Sequence, residues 1–471
     1  MTTVARPSRS SLYLTLAVPV LLLVALSMAL LFGQSGESEE GAKGKRRSGV
    51  VLSEVVSASA VQPAKAPPPP SSGFAPQTRL GFTSGDQWEP AIAADRFGHI
   101  YILYPQYLGV PGCPDCPSPT MILQISSDRG ATWASPRQIA PPGTGQVDAQ
   151  IVVDPVDGRT VYAAWLQNSK SDTVVAKSTD FGATWSVVVA NHTNAGTDKP
   201  ILAVRGQDVY VGYNHAQKVW VSSSHDGGAT FTSVNVNKTG KLGWSLAGGG
   251  TVDPAGNVYF AWAGFAQNGG AKGPVHLYLS KSSNGGNTWT TKELDTSGSP
   301  PDCSAYFCGW AYLGAQITMA SDTAGTLYAL WNAGTVDKGP ERIYFAKSTD
   351  AGNSWSTKAD VSAAPVGVNH AFPAIVAGAA GAVRISWMDA RAGTLWNTYY
   401  RSSTNGGATW SAEVDLSTFV AGFSYIQPDG YSFPFGDYYE MDIDDQGATH
   451  AIWGEGLNYD TPGSIWYTKG R

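Results

Sequence analysis

The sequence predicts an all-β protein, a seven-bladed β-propeller of four-stranded antiparallel blades, and three observations carry that expectation. An eight-residue motif, Ser126-Ser127-Asp128-Arg129-Gly130-Ala131-Thr132-Trp133, has close copies beginning at Ser178, Ser224, Ser282, Ser348 and Ser403, with its Asp or Asn at 128, 180, 226, 284, 350 and 405. Copies spaced 46 to 66 residues apart mark one supersecondary unit repeated in an array. A short apolar strand also recurs seven times, at residues 98–104, 161–165, 209–213, 258–262, 327–331, 383–387 and 450–453. The composition agrees: 54 Gly and 16 Trp with only 14% charged residues, and no sustained helical period.

In chain order, Arg6 and Arg9 precede an uncharged run of 21 residues at 12–32, followed by Glu37, Glu39 and Glu40. About 20 apolar residues span a bilayer, whereas a signal-peptide core is usually ~7–15. The expectation is a signal anchor with residues 1–11 in the cytosol and the rest outside; secretion after signal cleavage is the alternative. Residues 33–76 are rich in Ser, Gly, Ala and Pro, including Pro67 to Pro70, and read as a disordered tether. The propeller itself is expected over 77–471.

Each repeated motif reads as a hairpin turn. Its Asp or Asn folds onto backbone N–H groups two residues on, Gly supplies a positive φ, and Trp or Phe drops back between strands. A turn such as Asp154-Pro155-Val156-Asp157-Gly158 precedes each recurring strand, a third strand follows it, and a short fourth strand comes after the Trp. The seventh unit ends after its third strand, at residues 464–468. Residues 78–84 form a spare strand before the first unit, and pairing them into the seventh blade would close the ring and remove its open edges. Six blades with an appended hairpin is the alternative.

These motifs resemble the Asp-box (BNR) repeats of the sialidase-like β-propeller superfamily, over residues 77–471. The resemblance implies, for an active member, three arginines clamping a carboxylate, a Tyr nucleophile backed by a Glu, an Asp acid/base and a Phe/Tyr-Arg-Ile-Pro motif. That motif does not occur here; the corresponding region reads Gln87-Trp88-Glu89-Pro90-Ala91.

Ligand sites are expected at the axial mouth opposite the Asp-box turns, where several blades converge. Aligning the first strands by their end turns puts Glu89, Asp148 and Asp198 at equivalent positions there, with Gln316, His370 and Tyr438 close by. Two loops of neighbouring blades, residues 387–391 and 436–440, would bring Asp389, Arg391, Asp437, Tyr438 and Glu440 into one patch. Two functions follow as expectations. In one the propeller binds a glycan or a surface protein, with Trp88, Trp244 and Trp396 as stacking platforms. In the other it is an exo-acting glycoside hydrolase with Asp389, Asp437, Tyr438 and Glu440 in catalysis and Arg391, Glu89, Asp148, Asp198, Trp244 and His370 on the substrate.

The formal net charge of −6 lies without a basic stripe, so nucleic acid is not an expected partner, and a monomer is expected. Catalytic zinc spacing is absent; clustered loop aspartates leave room only for a structural calcium. The four cysteines form two close pairs, Cys113 with Cys116 and Cys303 with Cys308, which read as local disulfides pinning loops outside the cytosol.

Overall fold

The computed structural model describes residues 73–139, 143–194, 196–237, 244–267, 272–301, 314–392, 395–417, 426–427, 430–431, 436–456 and 463–470. The apolar run at 12–32, the tether up to residue 72, and Cys303 with Cys308 lie outside them. Among the described residues no helix is long and apolar enough to cross a membrane.

Seven antiparallel sheets of four strands each are present, one per predicted unit, and a fifth short strand, Asp86–Gln87, adds to the first. The second strands are Ile100–Tyr107, Val161–Gln167, Asp208–His215, Val258–Gln267, Leu327–Ala333, Val383–Ala392 and Thr449–Gly456. They read as near-continuous apolar runs because blades pack on both of their faces, so alternation has no solvent side to serve. Trp165, Trp262, Trp331, Trp387 and Trp453 occupy the fifth position of five of these strands and are fully buried. Trp165, Trp262, Trp331 and Trp387 each pack in a core shared by neighbouring blades.

The Asp-box turn has one geometry throughout. The Asp128 carboxylate accepts from the Thr132 backbone N–H at 2.8 Å and the Thr132 hydroxyl at 2.6 Å, while Ser126 Oγ accepts from the Gly130 N–H at 2.8 Å. The carboxylate thus reaches four residues on rather than the expected two, and the serine hydroxyl holds the glycine, whose φ is 79°. The same bonds recur at Asp180, Asp226 and Asp350. Bonds from the Thr132 and Thr184 hydroxyls hold the Asp128 and Asp180 carboxyls down at about 2. Trp133, Trp185, Phe231, Trp289, Trp355 and Trp410 then pack against the inter-blade cores, so the motif is a structural staple of each hairpin.

The innermost strands are Ala91–Ala94, Val147–Val153, Thr197–Arg205, Trp244–Val252, Ile317–Ser321, His370–Ala377 and Glu440–Ile443. Each touches the next around the axis, and the last touches the first. The ring closes in two places. On the outside, Thr78–Leu80 pairs antiparallel with the seventh blade in the register Thr78 to Tyr467, Arg79 to Trp466 and Leu80 to Ile465. The expected strand at 78–84 is cut short at Leu80, because Gly81 turns at φ 78° and Asp86–Gln87 pairs into blade 1.

On the inside, two carboxylates of blade 7 bond to the backbone of blade 1. Glu440 Oε2 accepts from the Ile92 N–H at 3.0 Å and Asp442 Oδ2 from the Ala94 N–H at 2.7 Å. Gln150 of blade 2 reaches over blade 1 to Glu440 Oε1 at 2.5 Å. Burial in the narrow channel raises the Glu440 carboxyl to about 8 and that of Asp442 to about 6. Folding therefore favours their protonated forms, and the stability this contributes is fully present below the ordinary carboxyl range. It is lost as pH rises through about 6 for Asp442 and about 8 for Glu440. Glu440→Gln, which keeps the shape without the titration, is expected to flatten the fall in melting temperature between about pH 5 and about pH 9. Thermal melts of both proteins across that range would check it, and parallel slopes would contradict it.

Candidate functional site

An axial cavity of about 710 Å³ runs between the innermost strands, from Asp148, Lys199, Asp437 and Tyr438 at the mouth to Arg96, Pro155 and Asp445 at the Asp-box end. The mouth is built by an irregularity shared among blades. Glu89, Asp148, Lys199 and Phe372 have φ of 50°, 59°, 51° and 55°, the left-handed region that side chains other than glycine seldom adopt. Ladder slips accompany three of them, at residues 147–150, 198–201 and 371–374. A left-handed residue re-aims its side chain out of the sheet register, and of these four Asp148 and Lys199 line the axial cavity. Such conformations cost about 1–3 kcal/mol each and cluster at functional sites.

Lys199 of blade 3 reaches across the mouth to blades 7 and 1. Its Nζ lies 2.5 Å from Asp437 Oδ1 and 3.7 Å from Glu89 Oε1, and 5.0 Å from the centre of the Tyr438 ring. Glu89 Oε1 also accepts from the Asp437 backbone N–H at 3.3 Å. Gly436 makes this approach feasible, since a Cβ there would fall 2.0 Å from Glu89 Cγ. Beside this group, Lys170 Nζ lies 2.9 Å from Asp198 Oδ1 and 3.9 Å from Asp148 Oδ2. The Tyr438 hydroxyl donates to the Ala149 carbonyl at 3.3 Å. Burial, with the Glu89 and Asp148 charges nearby, holds this phenol well above its ordinary value, the opposite of what a tyrosine nucleophile requires.

The sequence-predicted residues are therefore divided. Asp148, Asp437 and Tyr438 line the mouth, while Glu89, fully buried, and Asp198 pair with Lys199 and Lys170 without lining the cavity. Glu440 lies further along the axis, in the seam between blades 7 and 1. Asp389, Arg391 and His370 form a separate cluster in blade 6 and do not line the cavity. There the fully buried Asp389 accepts from Trp387 Nε1 at 2.9 Å and, in two-pronged fashion, from Arg391 Nε at 2.8 Å and Nη2 at 2.6 Å. Arg391 also bonds Glu413 and covers the Tyr399 ring at 3.7 Å. His370, buried and with its pKa lowered by desolvation, has Nδ1 against the Glu341 and Val368 carbonyls and Nε2 against Ser362 Oγ.

Trp88 is fully buried, stacked on Tyr107 with ring centres 4.7 Å apart, and Trp396 is 7% exposed, so neither presents a stacking face. Trp244 begins an innermost strand; its side chain lies outside the described residues. Cys113 and Cys116 are joined as a disulfide. Among the described residues no group of three or more His, Cys, Asp or Glu could hold a metal ion.

Lys199, Lys170 and Phe372 went unread in the sequence. The alignment of first strands by their end turns placed Asp198 beside Glu89 and Asp148, one residue short of the true equivalent. Glu89-Pro90, Lys199-Pro200 and Phe372-Pro373 share a proline after the left-handed residue, and aligning those prolines would have identified Lys199.

Residues 83–302 match the family described as BNR repeat-like domain. No curated protein matches the sequence. Among solved structures, the chain is similar to the Hadza microbial sialidase Hz136, at 15% identity and a TM-score of 0.45, over 82% of this chain and 66% of that one. It thus spans just under two thirds of that sialidase. It is also similar to a polysaccharide lyase of the PL25 ulvan lyase family, at 11% identity and a TM-score of 0.49, over 82% of this chain and 95% of the lyase. A third similar structure is YCF48 bound to D1 peptide, at 12% identity and a TM-score of 0.45, over 87% and 97% of the two chains. At these values none of the three carries its chemistry over to this chain.

Proposed function

We propose that this seven-bladed β-propeller, whose residues 83–302 match a BNR repeat-like domain, is a glycan-binding propeller whose ligand sits at the axial mouth formed by blades 1, 2, 3 and 7. The observation that carries this is the pair of left-handed residues Asp148 and Lys199 lining one mouth, with the left-handed Glu89 set against Lys199. Strain repeated at one level of the ring, with charged side chains at its ends, is the mark of a site rather than of packing. Carboxylates and ammonium groups at that spacing suit a polyhydroxylated ligand, whose hydroxyls both donate and accept.

Hydrolysis is the weaker reading. Tyr438 is held protonated, Glu440 is engaged with the backbone of Ile92, and Asp389 is enclosed with Trp387 and Arg391. The propeller is held outside the cell by the anchor at 12–32. Phe74 bridges to Gly470 at the Asp-box end of the seventh blade, the end away from the mouth.

Staining cells that display the full chain with a panel of labelled oligosaccharides tests this. We expect binding to intact cells, reduced at least about tenfold by Glu89→Ala with Asp437→Ala and unchanged by Arg129→Ala on the Asp-box face. Equal binding by the mouth variant, or staining only after permeabilisation, would overturn the site or the orientation respectively.

A further inference from the structure

Resting on the mouth as the glycan site, we infer that it selects saccharides lacking a carboxylate or sulfate, the reverse of the acidic ligand that the sialidase resemblance implies. Among the described residues, six charged side chains pair at this end of the axis, four carboxylates (Glu89, Asp148, Asp198, Asp437) and two ammonium groups (Lys170, Lys199), of which Asp148, Lys199 and Asp437 line the cavity itself. Each ammonium already lies between two of the carboxylates. An incoming anion would have to displace a carboxylate from its lysine and then sit in the field of the rest. Hydroxyl and amino groups meet no such opposition, since they donate to carboxylate oxygens directly.

The arginines that would reverse this balance are placed elsewhere. Arg96, Arg205 and Arg384 line the cavity near its Asp-box end. Arg342 is paired with Asp360, Arg391 with Asp389 and Glu413, and Arg401 donates to the Ser411 and Val361 carbonyls. The sequence contains no arginine at 206–341 or at 402–470, which covers the blade 3 to blade 5 and blade 7 loops. Among the described residues no arginine lines the mouth end of the cavity, so a two-pronged carboxylate clamp, the geometry for which arginine is suited and lysine is not, has no donor among the residues lining it.

Calorimetric titration of the full chain with neutral and amino-bearing oligosaccharides, and with sialylated and uronate-bearing counterparts of the same length, tests the inference. The acidic forms should bind at least about tenfold more weakly. Glu89→Gln with Asp437→Asn, which removes charge and keeps shape, should narrow the gap to within about threefold. Acidic forms binding as tightly as neutral ones, or a gap unchanged in the double variant, would overturn the charge selection while leaving the mouth as the glycan site. No binding of any saccharide would instead overturn the reading on which it rests.

Discussion

Deleting residues 73–80 should lower the stability of the propeller by roughly 5 kcal/mol, the largest effect expected of any short change in the chain. Phe74 and Leu80 are 5% and 7% exposed, and burying each contributes about 1.5–3 kcal/mol. The ladder from Thr78 to Leu80 adds hydrogen bonds worth about 1 kcal/mol apiece. Phe74 also packs edge-on against Tyr400 of blade 6, ring centres 4.9 Å apart. A domain whose whole stability is typically about 5–15 kcal/mol would be left marginal, with the third strand of blade 7 as an open edge. Denaturant titration of the full and shortened chains should show an early or broadened transition, and an unchanged midpoint would mean that closure rests on the inner seam alone.

Asp389→Ala is expected to destabilise the protein by about 3–5 kcal/mol, the usual consequence of breaking a buried charge pair from one side. The substitution strips Trp387 Nε1 of its acceptor and leaves Arg391 half-buried with Glu413 as its remaining carboxylate. A catalytic acid would behave in the opposite way, losing turnover while keeping its melting temperature. Thermal melts of Asp389→Ala beside Asp437→Ala separate the two roles. The first should melt far lower and the second fall less, because Lys199 keeps Glu89 as a second carboxylate when Asp437 is removed.

Most of the ring was legible because repetition multiplies a weak signal. Seven second strands and six Asp-box turns each confirm the others, and the unfilled edge of the last unit pointed to the strand at 78–80 that fills it. The site was less legible because it depends on departures from the repeat. Lys199 was missed by one residue, since the ladder slip between Asp198 and Ile201 upsets the residue count from the end turn by which the strands were aligned. Asp389 drew notice for its neighbours Arg391 and Trp387, yet Trp165-Leu166-Gln167, Trp387-Met388-Asp389 and Trp453-Gly454-Glu455 share one pattern. In each the polar residue accepts from the tryptophan two positions earlier, and comparing the repeats would have assigned Asp389 to the core.

Hydrogen–deuterium exchange of the full chain, with and without its tightest-binding oligosaccharide, tests the central claim most directly. The account predicts ligand protection at residues 86–91, 146–150, 197–201 and 436–439, the blade starts that converge on the axis. Protection confined to the Asp-box turns, or to the blade 6 cluster around Asp389, would contradict it.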